Sequence, residues 1–132
     1  MNKIQGQISN IEVNGSLSLV TTKVKEVLFK AIVIETPETA SYLTVGNTIN
    51  LLFKETEVVI ATGNTNNISL QNQVNGIVEK LEKGALLSQL NIKTVIGDIV
   101  SIITTNAISQ LNIEEGNTVT AMIKTNEISI SK

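Results

Sequence analysis

The chain repeats itself with an offset of 70 residues. Residues 2–62 align without a gap with residues 72–132, and 13 of these 61 pairs are identical. Many other pairs keep their apolar character, such as Ile4 and Val74. A chance match would not hold over this length without an insertion, so the repeat predicts two copies of one structural module.

A polar segment separates the two copies. It has the sequence TGNTNNISLQ, and its Gly and Asn residues are typical of a loop. We therefore predict a first module over residues 1–62, a linker over residues 63–71 and a second module over residues 72–132.

Each copy carries the pattern of a mainly β structure. Ile, Val and Thr are frequent, and β-branched side chains favour strands. Apolar or alternating runs predict strands. The last predicted strand of each copy is expected to follow a tight hairpin, at KETE in the first copy and at KTNE in the second, and to close its own copy. These strands are predicted at Gly6–Val13, Val27–Ile34, Asn47–Lys54 and Glu57–Ala61 in the first copy, and at Gly76–Leu81, Ile96–Thr104, Asn117–Lys124 and Glu127–Ser131 in the second.

One segment of each copy departs from the β pattern. Thr36–Leu43 offers Thr at the N-cap, Pro37 at the first helical position and Glu38 in the first turn, which predicts a short helix. Thr105–Leu111 is the corresponding segment of the second copy. The predicted fold is two tandem OB-like, five-stranded Greek-key barrel modules, each with one short helix.

Composition excludes several classes of function. The chain has no His, Cys, Trp or Arg, and only three aromatic residues. Ser-His-Asp and Cys-His nucleophile arrangements, disulfides and His or Cys metal sites are impossible, and we expect neither an enzyme nor direct metal ligands. A net charge of −2 and scarce aromatics argue against nucleic-acid binding. Short apolar runs and an N-terminus unlike a signal peptide predict a cytoplasmic protein without a membrane partner.

Three segments resemble the molbindin (Mop) family, a branch of the TOBE-type domains. Ser69–Gly76 resembles the family's S-A-R-N-x-L-x-G opening. Ile103–Gly116 is similar to its I-T-x-E-S-x-x-x-L-G-L-x-x-G segment, and Thr118–Ile128 to its V-x-A-x-I-K-A-T-x-V ending. The first copy shows the same order more weakly. The arrangement as a whole resembles the tandem di-Mop molbindins.

The resemblance implies a function. Molbindins bind molybdate and tungstate, tetrahedral dianions, in the cytoplasm as homotrimers with sites between modules of neighbouring subunits. Backbone N–H groups, hydroxyls and Lys can hold such an anion without any organic cofactor. A mean hydropathy of +0.20 in a chain this small also predicts apolar surface buried between subunits.

The resemblance also implies candidate oxyanion-binding residues. They are the positions of this chain that match the donors of the family motifs: Ser69, Gln71, Asn72, Thr104, Lys124, Thr125 and, in the first copy, Lys54. Each also has an ordinary explanation as a linker residue, a solvated strand end or a strand Thr.

The chain departs from the motifs in ways that predict fewer or weaker sites. Gln71 stands where the family has Arg, so a charge is missing there. In the first copy, Ile34 replaces the Thr and Glu55 replaces the small residue after the Lys. The sequence separates neither molybdate from tungstate nor storage and delivery from sensing.

Two other functions stay open at the sequence level. The first is a regulatory or protein-interaction module of the same fold, which would act as the effector-sensing partner of a transcription factor or transporter. The second is an OB-like binder of oligonucleotides or saccharides, which the scarce aromatics disfavour.

Overall fold

The computed structural model describes residues 1–132. Ten strands, one α-helix and two 3-10 turns follow one another along the chain. In order they are β1 (Asn2–Asn14), β2 (Leu17–Val24), β3 (Val27–Val33), β4 (Thr48–Phe53), the first 3-10 turn (Glu55–Glu57), β5 (Val59–Ala61), β6 (Asn72–Lys83), β7 (Leu87–Thr94), β8 (Gly97–Thr104), α1 (Thr105–Leu111), β9 (Thr118–Ile123), the second 3-10 turn (Thr125–Glu127) and β10 (Ser129–Ser131).

The strands form two five-stranded antiparallel sheets that exchange their last strands. The first sheet has the order β10-β4-β1-β2-β3, and the second has the order β5-β9-β6-β7-β8. The prediction that β5 and β10 each close their own copy is therefore wrong, because β5 pairs with β9 and β10 pairs with β4. The expected hairpins at KETE and KTNE are 3-10 turns instead. None of their residues has the positive φ that the favoured two-residue hairpin turns require.

Each sheet curls at equivalent glycines. A Cβ atom on Gly6 would lie 2.5 Å from Cγ2 of Thr22, and one on Gly76 would lie 2.5 Å from Cγ2 of Ile92. Only glycine allows β1 and β6 to approach their neighbours this closely. A bulge follows in each strand, after Ile8 and after Val78 respectively, and bends it further. The curl brings the edge strand β3 against β10, and β8 against β5.

One hydrophobic core runs through both sheets. Its 25 buried residues come from both copies and include Phe29 and Phe53 of the first and Leu90 and Ile123 of the second. The two sheets therefore bury their inner faces in a shared core, which a single copy of this size would fill poorly.

Two buried asparagines tie the sheets together in a reciprocal way. The side chain of Asn72 accepts from the backbone N–H of Lys30 and donates to its C=O, both at 2.7 Å. Asn2 forms the equivalent pair of bonds with the backbone of Val100, both at 2.8 Å. Each amide imitates the pairing of a neighbouring strand, so backbone groups on β3 and β8 are satisfied across the boundary between the copies.

The two copies differ where a helix was predicted in each. The second copy has the predicted helix, α1, capped by Thr104, whose hydroxyl accepts from the N–H of Ala107 at 3.1 Å. The first copy has no α-helix, and residues 35–47 form turns. The aligned positions explain this difference, because Ile34 offers no cap, Pro37 has no N–H to be capped, and Glu38 stands where α1 buries Ile108.

These turns in the first copy hold the only Tyr of the chain. The Tyr42 hydroxyl donates to the carboxylate of Glu35. Partial burial, together with that hydrogen bond and the negative charge of Glu35, raises the pKa of Tyr42 from 10.0 to about 12. The folded state thus keeps the phenol proton more tightly than the unfolded chain does.

We expect removal of either asparagine bridge to destabilise the fold. Asn72→Ala leaves the N–H and C=O of Lys30 without partners and should lower the free energy of unfolding by about 1–3 kcal/mol in urea titrations. Asn2→Ala should cost a similar amount. Asn10→Ala is the matched control, because the exposed Asn10 side chain makes no hydrogen bond, and its effect should stay within about 0.5 kcal/mol. Equal losses in all three variants would contradict the role of the bridges.

We expect Tyr42 to ionise late. The chain has no Trp, so the ultraviolet absorbance of tyrosinate reports Tyr42 alone. Its midpoint in the folded protein should lie near pH 12, and the matching stabilisation should be present below pH 10.0 and lost as the pH rises through about 12. Glu35→Gln should bring the midpoint back toward the ordinary value. A midpoint at the ordinary value in the unsubstituted protein would disprove the contact.

Candidate functional site

Two of the motif segments meet at one end of the second sheet. Asn72 at the start of β6 faces Ile123 at the end of β9 in the strand register. Gln71 directly precedes Asn72, and Lys124 directly follows Ile123, so both residues lie at this end of the sheet. Four predicted site residues are therefore gathered at this end: Gln71, Asn72, Lys124 and Thr125.

Strand β3 of the first sheet covers the same end. The second 3-10 turn, which starts at Thr125, packs against β3, and the Asn72 bridge fixes Lys30 of β3 beside the start of β6. Asn72 is fully buried and bonded to backbone on both sides of its amide. Its role in the structure is to hold β3 in place next to Gln71.

A cleft opens between β3 and the linker at this point, and we call it the β3 cleft. Lys30 is its one charged residue, and no carboxylate lines it. Gln73 and Thr65 hold the linker wall through three hydrogen bonds, of which the shortest runs from Gln73 Nε2 to the C=O of Leu70 at 2.7 Å. The lining residues are Leu28, Lys30, Thr65, Asn66, Ile68, Leu70, Gln71 and Gln73.

The corresponding end of the first sheet has a different charge pattern. Asn2 faces Phe53 in the register, so Met1 and Lys54 stand where Gln71 and Lys124 stand in the second sheet. The Met1 ammonium forms an ion pair with Glu55 at 2.6 Å, and this hydrogen bond lowers the pKa of the Glu55 carboxyl. The nearby cleft is lined by carboxylates, since Glu57 and Glu127 both border it together with Lys54.

The remaining predicted site residues are Ser69, Thr104 and Lys54. Ser69 is exposed in the linker, two residues before Gln71. Thr104 caps α1 and borders an apolar groove next to Thr56, which belongs to the first 3-10 turn. Within one chain, Thr104 is therefore beside the turn that follows Lys54 and not beside Lys124, and the seven candidates do not form one site.

Sequence reasoning missed Lys30 as a neighbour of Gln71. The aligned residue in the second copy is Val100, so the repeat gives no hint of a charge there. Its position depends on the bridge to Asn72, a contact between residues 42 positions apart. The repeat did mark Asn2 and Asn72 as an identical pair, but it did not reveal what they bind.

Two further observations concern metal ligands and membrane-spanning helices. No group of three or more His, Cys, Asp or Glu side chains could hold a metal ion. The only α-helix spans seven residues, and no helix meets the length and hydropathy needed to cross a bilayer.

Similarity to a known domain family covers the second half of the chain. Residues 68–130 match the family model of the TOBE domain. This part of the chain is therefore similar to TOBE domains. It includes six of the seven candidate residues, all but Lys54. No match was found among curated protein sequences.

One solved structure shares the fold along almost the whole chain. The cytoplasmic molybdate-binding protein ModG, in a form with molybdate bound, superposes with a TM-score of 0.91 at 22% identity, over 98% of this chain and 94% of that chain. MopII from Clostridium pasteurianum, in an apo form, matches 45% of this chain and 90% of its own at 32% identity, with a TM-score of 0.43. The mainly β, OB-like fold is thereby confirmed, with one helix where two were predicted.

Proposed function

We propose that this protein binds molybdate, tungstate or both, and stores, buffers or delivers the anion in the cytoplasm without catalysing a reaction. One observation carries the proposal: the segments that resemble the molbindin donor motifs, Gln71–Asn72 and Lys124–Thr125, converge on the same end of one sheet. That end offers a Lys, an amide and a hydroxyl, a donor set that suits a tetrahedral dianion.

We further propose that the chain comprises two Mop-like modules, residues 1–62 and 72–132, joined by the linker at 63–71. In space, each module completes its sheet with the last strand of the other. The exchange supports a tandem arrangement in which neither module acts alone.

Assembly into a homo-oligomer, with a trimer favoured, would complete the sites. Within one chain Thr104 lies beside the first 3-10 turn and not at the Lys124 end, so a neighbouring subunit would have to bring such a donor to it. Large apolar side chains are also left exposed, with Leu86 82% and Ile34 79% accessible. Contact between subunits would cover such surface.

A regulatory or protein-interaction role is the second candidate. The groove beside Thr104 favours it, because most of its lining is apolar, including Val59, Leu87 and Leu111. Apolar grooves of this kind are common docking surfaces for protein segments.

Native mass spectrometry with and without molybdate and tungstate tests the proposal. We expect an oligomer that gains a small integer number of oxyanions, and a higher melting temperature with either anion because the unfolded chain has no site. An oligomer that takes up neither anion would favour the protein-interaction role. A monomer that takes up neither would contradict both the binding and the interface sites.

We expect the two lysines to contribute unequally. Lys124→Ala should raise the Kd for molybdate by about tenfold or more, which is the usual cost of losing a charged hydrogen bond. Lys54→Ala should have a clearly smaller effect, because Glu55 places a carboxylate beside Lys54 where Thr125 follows Lys124. Isothermal titration calorimetry measures both, and equal losses would remove the asymmetry between the copies.

A further inference from the structure

We infer that the β3 cleft is an anion-binding subsite in which Lys30 supplies the positive charge that Gln71 does not. The inference rests on the proposed function and names a residue for it that the resemblance does not assign. Lys30 belongs to the first copy, whereas Gln71 belongs to the segment that leads into the second.

The first argument is position. Asn72 bonds both the N–H and the C=O of Lys30 at 2.7 Å, so the backbone of residue 30 is fixed against the residue that follows Gln71. The side chains of Lys30 and Gln71 line the same cleft, and Lys124 lies at the same end of the sheet as Gln71. Lys30 therefore borders the same cleft as the neutral amide donor Gln71, and Lys124 follows the strand end that pairs with the start of β6.

The second argument is that these donors have no partner within the chain. Neither ion pair of the structure includes Lys30, and neither Lys30 nor Gln71 uses its side chain in a hydrogen bond. The lining of the cleft contains no carboxylate, so none of the residues that border it repels an anion. Its volume of about 360 Å³ leaves ample room for a small tetrahedral dianion.

The third argument comes from the equivalent place on the other sheet. Asn2 makes the same two bonds to Val100, which carries no charge, and the Met1 ammonium is already paired with Glu55. The same backbone geometry thus occurs twice. Lys54 at the other end is also unpaired, but it shares its cleft with Glu57 and Glu127, whereas the lining of the β3 cleft has no carboxylate. Of the two equivalent places, the β3 cleft is therefore the one that suits a dianion.

The test compares Lys30→Gln and Lys30→Arg with the unsubstituted protein, titrated with molybdate, tungstate, sulfate and phosphate by calorimetry. Lys93→Gln, on the exposed face of β7, is the matched control for the loss of one positive charge. Lys30→Gln should raise the molybdate Kd by about tenfold or more, Lys30→Arg should restore most of the binding, and Lys93→Gln should change little. We expect equal melting temperatures for all variants, because only the backbone of Lys30 takes part in the bridge to Asn72. Equal melting temperatures would show that the fold is intact.

The outcomes separate this inference from the proposed function. If the protein binds molybdate and Lys30→Gln binds it equally well, the inference fails while the proposed function stands. If the protein binds sulfate or phosphate but neither molybdate nor tungstate, and Lys30→Gln loses that binding, the cleft is an anion site and the proposed function fails. Binding of none of the four anions overturns both.

Discussion

The fold depends on the pairing of each half of the chain with backbone from the other half. β5 and β10 complete sheets that begin in the opposite copy, and the buried amides of Asn2 and Asn72 satisfy backbone groups on β8 and β3. A backbone donor or acceptor buried without a partner costs about 1–3 kcal/mol, so these cross-links resist separation of the halves. The shared core of 25 residues adds an apolar contribution to the same boundary.

A symmetric backbone here carries an asymmetric distribution of charge. The Asn bridge occurs at both ends, yet one presents Lys30, Gln71 and Lys124, and the other presents a Met1–Glu55 ion pair beside Lys54. Duplication keeps the register and the bridging amides, while side chains that point to solvent or into a cleft are free to diverge. This divergence is the basis on which we propose that the two copies differ in their affinity for an anion.

The sequence predicted most of the strands from apolar runs and period-two alternation, which are local signals, and it predicted α1 from the correspondence of Thr105–Leu111 with Thr36–Leu43. It did not predict the strand exchange. The residues of β5 indicate a strand but do not indicate which of the two sheets that strand joins. It overpredicted a helix at Thr36–Leu43, where the local start signals lack the apolar anchor that Ile108 gives α1. It grouped candidate residues by motif, whereas tertiary packing separates Thr104 from Lys124 and brings in Lys30, which no motif marks.

The most direct measurement is the anomalous scattering of tungsten in crystals grown with tungstate. The account predicts a peak at the end of the second sheet, within hydrogen-bonding reach of Gln71 and of the ammonium groups of Lys30 or Lys124, with weaker or no density at the Met1–Glu55 end. A tungsten peak confined to the Lys54 end would contradict this prediction. If the protein binds tungstate in solution at another surface and its crystals show no ordered tungsten, that result would contradict it as well.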